Sequence, residues 1–317
     1  MKFDIYKKKT YTNHWNNFFS EPKKNNSLIE GLKKLKFFLY NFLGYKIKVS
    51  IITKNSNEDI SYNSYLLSRK LIDLRNKKLS KVLIEYLSKF NFQISETEIN
   101  KFISEFEVVY YKSPIRDLGS GFGYNESLFL FCILKIIQPT DVIESGLMKG
   151  FTSYIIDKAT NKNCKIHCYD ISFENLIYKS KKGNYHNCDI SDSPPKFIGK
   201  KVFAFWDDHV SQLDRLNYSI ENKVKFNMFD DDLSFLNLHS DGWPPIPTIN
   251  MLFEIKEKFY DESNISWMSR NRSGEIILEN LKNFDILKKI KHHSIFTDVF
   301  QITGYKNHSQ CSFLVLK

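Results

Sequence analysis

No apolar run in the chain approaches the ~20 residues a helix needs to span a bilayer. There is no long basic tract either. The formal net charge is +10, but the lysines are interleaved with Asn and Glu, which argues against nucleic acid as a partner even though cations neutralise phosphates. Residues 1 to about 110 show no internal repeat. Cysteine is sparse and odd in number: Cys132, Cys164, Cys168, Cys188 and Cys311 sit mostly inside apolar runs. With no signal peptide, that pattern points to reduced thiols and a cytoplasmic setting. Cys164, His167 and Cys168 resemble metal ligands, yet the segment alternates as a strand would and no second ligand pair follows at zinc-site spacing.

What is present is ample apolar material. With 42% hydrophobic residues in 317, the chain can bury a sizeable core. Residues 1 to 110 read as mostly helical and charged. Apolar spacing at Leu66, Leu67, Leu71 and Leu74, then at Val82, Leu83, Tyr86 and Leu87, marks helical faces, and Ser95 with Glu98 forms a capping-box signature. The stretch 31–43 is a basic amphipathic helix candidate that suits either an anionic membrane surface or packing on its own domain. This region is expected to be an N-terminal helical accessory part, with residues 111–317 forming the second domain.

From about residue 112 the texture changes. Ser120-Gly-Phe-Gly123 is a flexible turn, and Asn125 to Ile137 reads as a buried helix stopped by Pro139. Short apolar runs then alternate with helical or loop segments: Asp141–Glu144, Lys165–Asp170, Tyr185–Asp189, Lys201–Asp207 and Lys225–Asp230. Each ends in an acidic residue. Strands alternating with crossovers give an α/β fold with a mostly parallel, Rossmann-like sheet and flanking helices, with ligand groups gathered at the carboxyl ends of the strands. Ile290 to Thr303 and Cys311 to Leu316 supply a C-terminal antiparallel hairpin.

The first strand runs into Glu144-Ser-Gly-Leu-Met-Lys-Gly150, followed by Thr152 and Ser153. Gly146 permits a sharp turn off the strand, and Gly150 permits close approach of a ligand or of the helix. Thr152 and Ser153 offer hydroxyls near a helix N-terminus, and Glu144 places a carboxylate where a ligand ammonium group can be met. The spacing differs from the G-x-G-x-x-G of dinucleotide sites. Asp170, at the end of the second strand, can accept both ribose hydroxyls, and Asp189, at the end of the third, can accept from an adenine amino group.

The stretch Glu144 to Ser153 resembles the first motif of class I S-adenosylmethionine-dependent methyltransferases, nearest to the small-molecule O-methyltransferase branch. Asn187-Cys-Asp-Ile-Ser-Asp192 is similar to that family's third-strand segment, and Ser120 to Glu126 resembles a glycine-rich stretch of related bacterial proteins that covers the cofactor. The resemblance spans roughly residues 115 to 235. It implies S-adenosylmethionine as cofactor and a hydroxyl of a sugar or other polar small molecule as acceptor.

Two acidic clusters follow, Trp206-Asp-Asp-His209 and Phe229-Asp-Asp-Asp-Leu233, with a helix-like Ser211 to Asn222 between them. Adjacent carboxylates repel without a cation, so the clusters suit Mg2+ or another hard divalent ion. The arrangement resembles metal-dependent sugar, macrolide and catechol O-methyltransferases, which implies Asp208, Asp230 and Asp231 as ligands, with Asp207 as a substitute for Asp208. Asp208 and His209 are the catalytic candidates, His209 as general base or ligand. The competing reading is that these acids only cap helices. The loop His239 to Pro247 places Trp243 either for stacking on a ring or as a packed residue. His292 and His293 have no acidic partner nearby in sequence. Two other functions stay open: an oxidative, hydroxylase-like enzyme on the same scaffold, which would need an iron site, and a non-catalytic binding module docking through Lys33, Lys34 and Lys36.

Overall fold

The computed structural model describes residues 69–115, 122–235, 243–259, 262–281 and 285–317. The basic stretch 31–43, Leu66 and Leu67, Ser120 and Gly121 of the Ser120–Gly123 turn, and His239 lie outside the described residues. Seven helices are described: α1 (Arg69–Ser88), α2 (Glu96–Lys112), α3 (Tyr124–Ile137), α4 (Phe151–Ala159), α5 (Gln212–Glu221), α6 (Ile249–Lys258) and the short α7 (Phe300–Thr303). The strands are β1 (Asp141–Ser145), β2 (Lys165–Tyr169), β3 (Gly183–His186), β4 (Val202–Trp206), β5 (Phe226–Phe229), β6 (Asn264–Met268), β7 (Ser273–Ile277), β8 (Ile290–Ile295) and β9 (Ser312–Leu316).

Seven strands form one sheet in the order β3-β2-β1-β4-β5-β9-β8. The first five are mutually parallel, while β9 runs antiparallel to both β5 and β8. This is the Rossmann-like, mostly parallel sheet with a C-terminal antiparallel hairpin that the strand pattern implies. Reversal of strand order at β1 and β4 opens a crevice at the carboxyl ends, where open α/β sheets bind ligands.

Alternation along the strands divides the core in two. Val142, Ile166, Phe203, Phe205, Met228 and Phe313 face one layer, packed under residues of α1 to α4. Ile143, Tyr169, Ala204, Trp206, Phe229 and Leu314 face the other, under α5, α6 and the β6–β7 hairpin. Helix α2 starts as its sequence dictates: Ser95 accepts from the Glu98 amide and Glu98 reaches back to the Ser95 amide. The central helix α3 is buried on nearly every side, so its sequence carries little amphipathic pattern.

Several expectations shift. Leu71 and Leu74 are 50% and 49% exposed; the buried face of α1 begins further on, at Leu79 and Leu83. The third strand lies earlier than read, at Gly183–His186, a polar strand at the edge of the sheet. Asp189 therefore lies in the turn beyond β3. Strand β8 stops at Ile295, and the rest of that segment holds α7. Helix α6 and the β6–β7 hairpin were not foreseen.

Candidate active site at the carboxyl edge of the sheet

Gly146 and Gly150 adopt φ of +89° and +83°, the left-handed region that side chains resist. Close approach at both comes from the chain itself. A β-carbon on Gly146 would lie 2.0 Å from the Asp207 carbonyl oxygen, and one on Gly150 would lie 2.4 Å from that of Tyr178. The turn after β1 is thus wedged against the end of β4.

Glu144 is fully buried beneath this turn. Its Oε2 accepts from the Ser153 hydroxyl at 2.7 Å, tying β1 to the first turn of α4, where Thr152 is also buried. The other oxygen, Oε1, has no hydrogen-bond partner. Burial pushes the carboxyl up to about 8 despite the Ser153 hydrogen bond.

Asp170, just beyond β2, closes on the same turn. Its Oδ2 accepts from the Leu147 and Met148 amides at 2.8 and 3.3 Å, and its Oδ1 accepts from the Ser172 amide at 3.1 Å. Burial raises its pKa against those hydrogen bonds. A carboxylate has about four acceptor positions; three are engaged, which leaves one open.

Asp189 and Asp208 are joined by a residue that motif reading passed over. Arg215, on α5, donates through Nη1 and Nη2 to Asp189 at 3.2 and 2.5 Å and through Nε to Asp208 at 2.8 Å. Burial alone would raise the Asp189 pKa, but the hydrogen bonds and charge of Arg215 bring it down to about 2. Asp208 also accepts from the Ser145 hydroxyl at 2.5 Å and the Val210 amide at 3.2 Å. The signal was present in sequence: Arg215 interrupts the buried stripe Leu213, Leu216, Ser219 of an amphipathic helix, and a cation placed there requires a carboxylate partner.

At the ends of β4 and β5, Asp207 and Asp230 hydrogen-bond to each other through their side chains. Burial, with Asp230 and Asp231 nearby, pushes Asp207 well above the usual carboxylate range. Asp230 also accepts from the Ser309 hydroxyl and from the Cys311 thiol, the latter at 2.8 Å. Asp231 stands at φ +53°, with its Oδ2 4.0 Å from His209 Nδ1. Together with Trp206, Asp208, Gln212 and Pro245 these residues line a small recess.

His209 is likewise left-handed, at φ +55°. Its Nδ1 lies 2.9 Å from the Trp243 carbonyl oxygen. A carbonyl can only accept, so Nδ1 carries the proton and Nε2 is the basic nitrogen of the neutral ring. Trp243 itself is packed, at 7% exposed. Above it Arg272, from the turn of the β6–β7 hairpin, donates to the His209 carbonyl oxygen at 2.9 Å. The third acid, Asp232, pairs with His293 at 2.8 Å, a partner 61 residues away that no local pattern reveals.

The residues named as metal ligands, Asp208, Asp230 and Asp231, line one recess, but two of them are already engaged by other partners. Asp208 is held by Arg215, Ser145 and Val210, and Asp230 by Asp207, Ser309 and Cys311. Among the described residues no group of three or more His, Cys, Asp or Glu is arranged to hold a metal ion. The donor set as folded does not fit a divalent ion. His167, in the false zinc pattern, is paired with Asp141 at 3.2 Å, and all five cysteines are free thiols. No helix among the described residues is long and apolar enough to cross a membrane.

No protein-family model matches the chain, and no curated protein matches it. Solved structures do. It is similar to cmcI-N160 with SAH, at 11% identity and a TM-score of 0.31, covering 37% of this chain and 64% of that one. The chain thus spans less than two thirds of that protein. It is also similar to the O-methyltransferase from Bacillus cereus in complex with SAH, at 12% identity and a TM-score of 0.36, over 74% of this chain and 96% of that one. A third likeness is to the O-methyltransferase TomG from Streptomyces achromogenes, involved in tomaymycin synthesis and solved with SAM. There the identity is 8% and the TM-score 0.37, over 85% of this chain and 100% of that one. At such TM-scores the likenesses decide neither cofactor nor substrate.

Proposed function

We propose that the chain is an S-adenosylmethionine-dependent methyltransferase that acts on a hydroxyl of a sugar or other polar small molecule. The observation that carries the reading is the position of Asp170. Its partly exposed carboxylate is folded into the Gly146–Gly150 turn at the switch point of the sheet, beside the acid row that ends β4 and β5. The turn and Asp170 would hold the nucleoside part of the cofactor, and the remaining acceptor position of Asp189 would face its base. When bound, the cofactor supplies a methyl group on a sulfonium centre.

Catalysis on this reading is mainly positioning. His209 Nε2 takes the proton of the acceptor hydroxyl, while the Trp243 carbonyl and Asp231 fix the ring and stabilise its charged form. Asp208 is a positioning residue, holding the His209 turn through Val210 and anchoring it to Arg215. No step is routed through a metal ion.

Calorimetry of the full chain with S-adenosylmethionine and S-adenosylhomocysteine tests the proposal. Binding of both is expected; no heat from either at millimolar concentration removes it.

A further inference from the structure

We propose that the cavity between the amino end of α3 and the β8–β9 connection binds the acceptor, and that it selects a molecule carrying a protonated amino group. The word acceptor rests on the methyl-transfer reading; the selection of a cation does not.

The cavity has a volume of about 400 Å3, enough for a small metabolite. Glu126 lines it and is only 2% exposed. One of its oxygens, Oε1, accepts from the His308 and Ser309 amides at 2.5 and 3.2 Å. The other, Oε2, is buried without a hydrogen-bond partner. A buried acceptor left without a donor costs roughly 1–3 kcal/mol, so the fold keeps there a position that a ligand N–H or O–H would satisfy.

Charge decides which. The wall holds a second carboxylate, Asp298, and among its lining residues there is no Lys or Arg. Beneath it Asp230, bound to Ser309 and Cys311 of the same wall, adds to the negative potential. Burial pushes the Glu126 carboxyl up to about 7, with Asp230 adding to the rise, an arrangement that a bound cation relieves. The apolar side is aromatic: Phe129 and Phe296 are stacked with centroids 4.6 Å apart, and aromatic walls favour cations as well as apolar bodies. A neutral hydroxyl would satisfy Oε2 but would leave the carboxylates uncompensated.

Asp230 also joins this cavity to the recess that holds His209, since it lines that recess and bonds the cavity's Ser309 and Cys311.

The test is calorimetry on the full chain with glucosamine, ethanolamine and tyramine, each against its neutral counterpart: N-acetylglucosamine, ethylene glycol and 4-ethylphenol. At least one amine should bind about 10–100-fold more tightly than its counterpart, the worth of a charged hydrogen bond. Glu126→Gln keeps an acceptor for the two amides and should abolish that preference while S-adenosylhomocysteine still binds. No amine exceeding its counterpart, or a preference that survives Glu126→Gln, overturns the proposal. Where that variant does not fold, Asp298→Asn at the exposed rim decides. A reduction of about 2–5-fold is expected, and an unchanged preference overturns it. Amine preference without S-adenosylhomocysteine binding would remove the cofactor reading and leave the cavity's selectivity standing.

Discussion

Glu144 shows how one buried side chain ties pH to stability. In the fold it keeps its proton up to about pH 8, while in the unfolded chain it loses it near ~4.3. Between those values unfolding releases a proton, so the native state loses stability as pH rises through that window. Glu144→Gln cannot ionise and should flatten the loss. Its unfolding free energy, measured in urea relative to the parent, is expected to improve from pH 5 to pH 8. A constant difference across that range would show that the carboxyl is ionised in the fold. His209 bears on rate instead. With an acceptor in hand, His209→Ala should slow methyl transfer by about 10²–10⁴-fold, the usual worth of a general base, with S-adenosylhomocysteine affinity unchanged. A full rate in that variant would assign the proton to another group.

At the level of elements, the turn after β1 and the end of β4 act as one piece. Gly146→Ala would put a β-carbon 2.0 Å from the Asp207 carbonyl oxygen and hold a side chain at φ +89°, with no flexible group able to yield. A loss of more than about 3 kcal/mol is expected, read as a lowered urea midpoint together with lost S-adenosylhomocysteine binding. Near-normal stability would mean that the turn can rotate away. This turn was legible in sequence because its requirements are local: a strand end, a glycine and the next glycine. Strands β1, β2, β4 and β5 were legible for the same reason, as apolar runs closed by acids. Strand β3 was displaced because it is a polar edge strand, where burial does not set the register. Arg215 and the Asp232–His293 pair escaped notice because their partners are brought together only by the folded sheet. The acids were found, but their roles were not, since a carboxylate bound by arginine and one awaiting a ligand look identical in sequence.

Across the whole molecule, α1 and α2 share a core with the sheet. Tyr86 donates to the Ser294 carbonyl oxygen at 2.8 Å, Phe90 lies 4.7 Å from Phe313, and Phe106 packs on Tyr124 and Phe131. A chain begun at residue 111 would uncover Phe131, Phe296 and Phe313, an apolar patch that promotes aggregation. It is expected to be insoluble, or to lose cooperative unfolding by circular dichroism. A soluble, cooperatively unfolding 111–317 fragment that binds S-adenosylhomocysteine would show that these helices are dispensable to the fold. The connection of the C-terminal hairpin is held against α3, since Tyr305 stacks on Tyr124 at 4.3 Å.

Arg215 bears on how this sequence can drift. Loss of Asp208 strands part of a buried guanidinium, and loss of the arginine strands Asp208, each a step of about 3–5 kcal/mol; loss of Asp189, about a third exposed, costs less. Joint replacement of all three by apolar groups of matching volume can be nearly neutral. Descendants of this chain should therefore keep the three residues or discard them together, and a homologue carrying two of them should show a substitute charge at the third position.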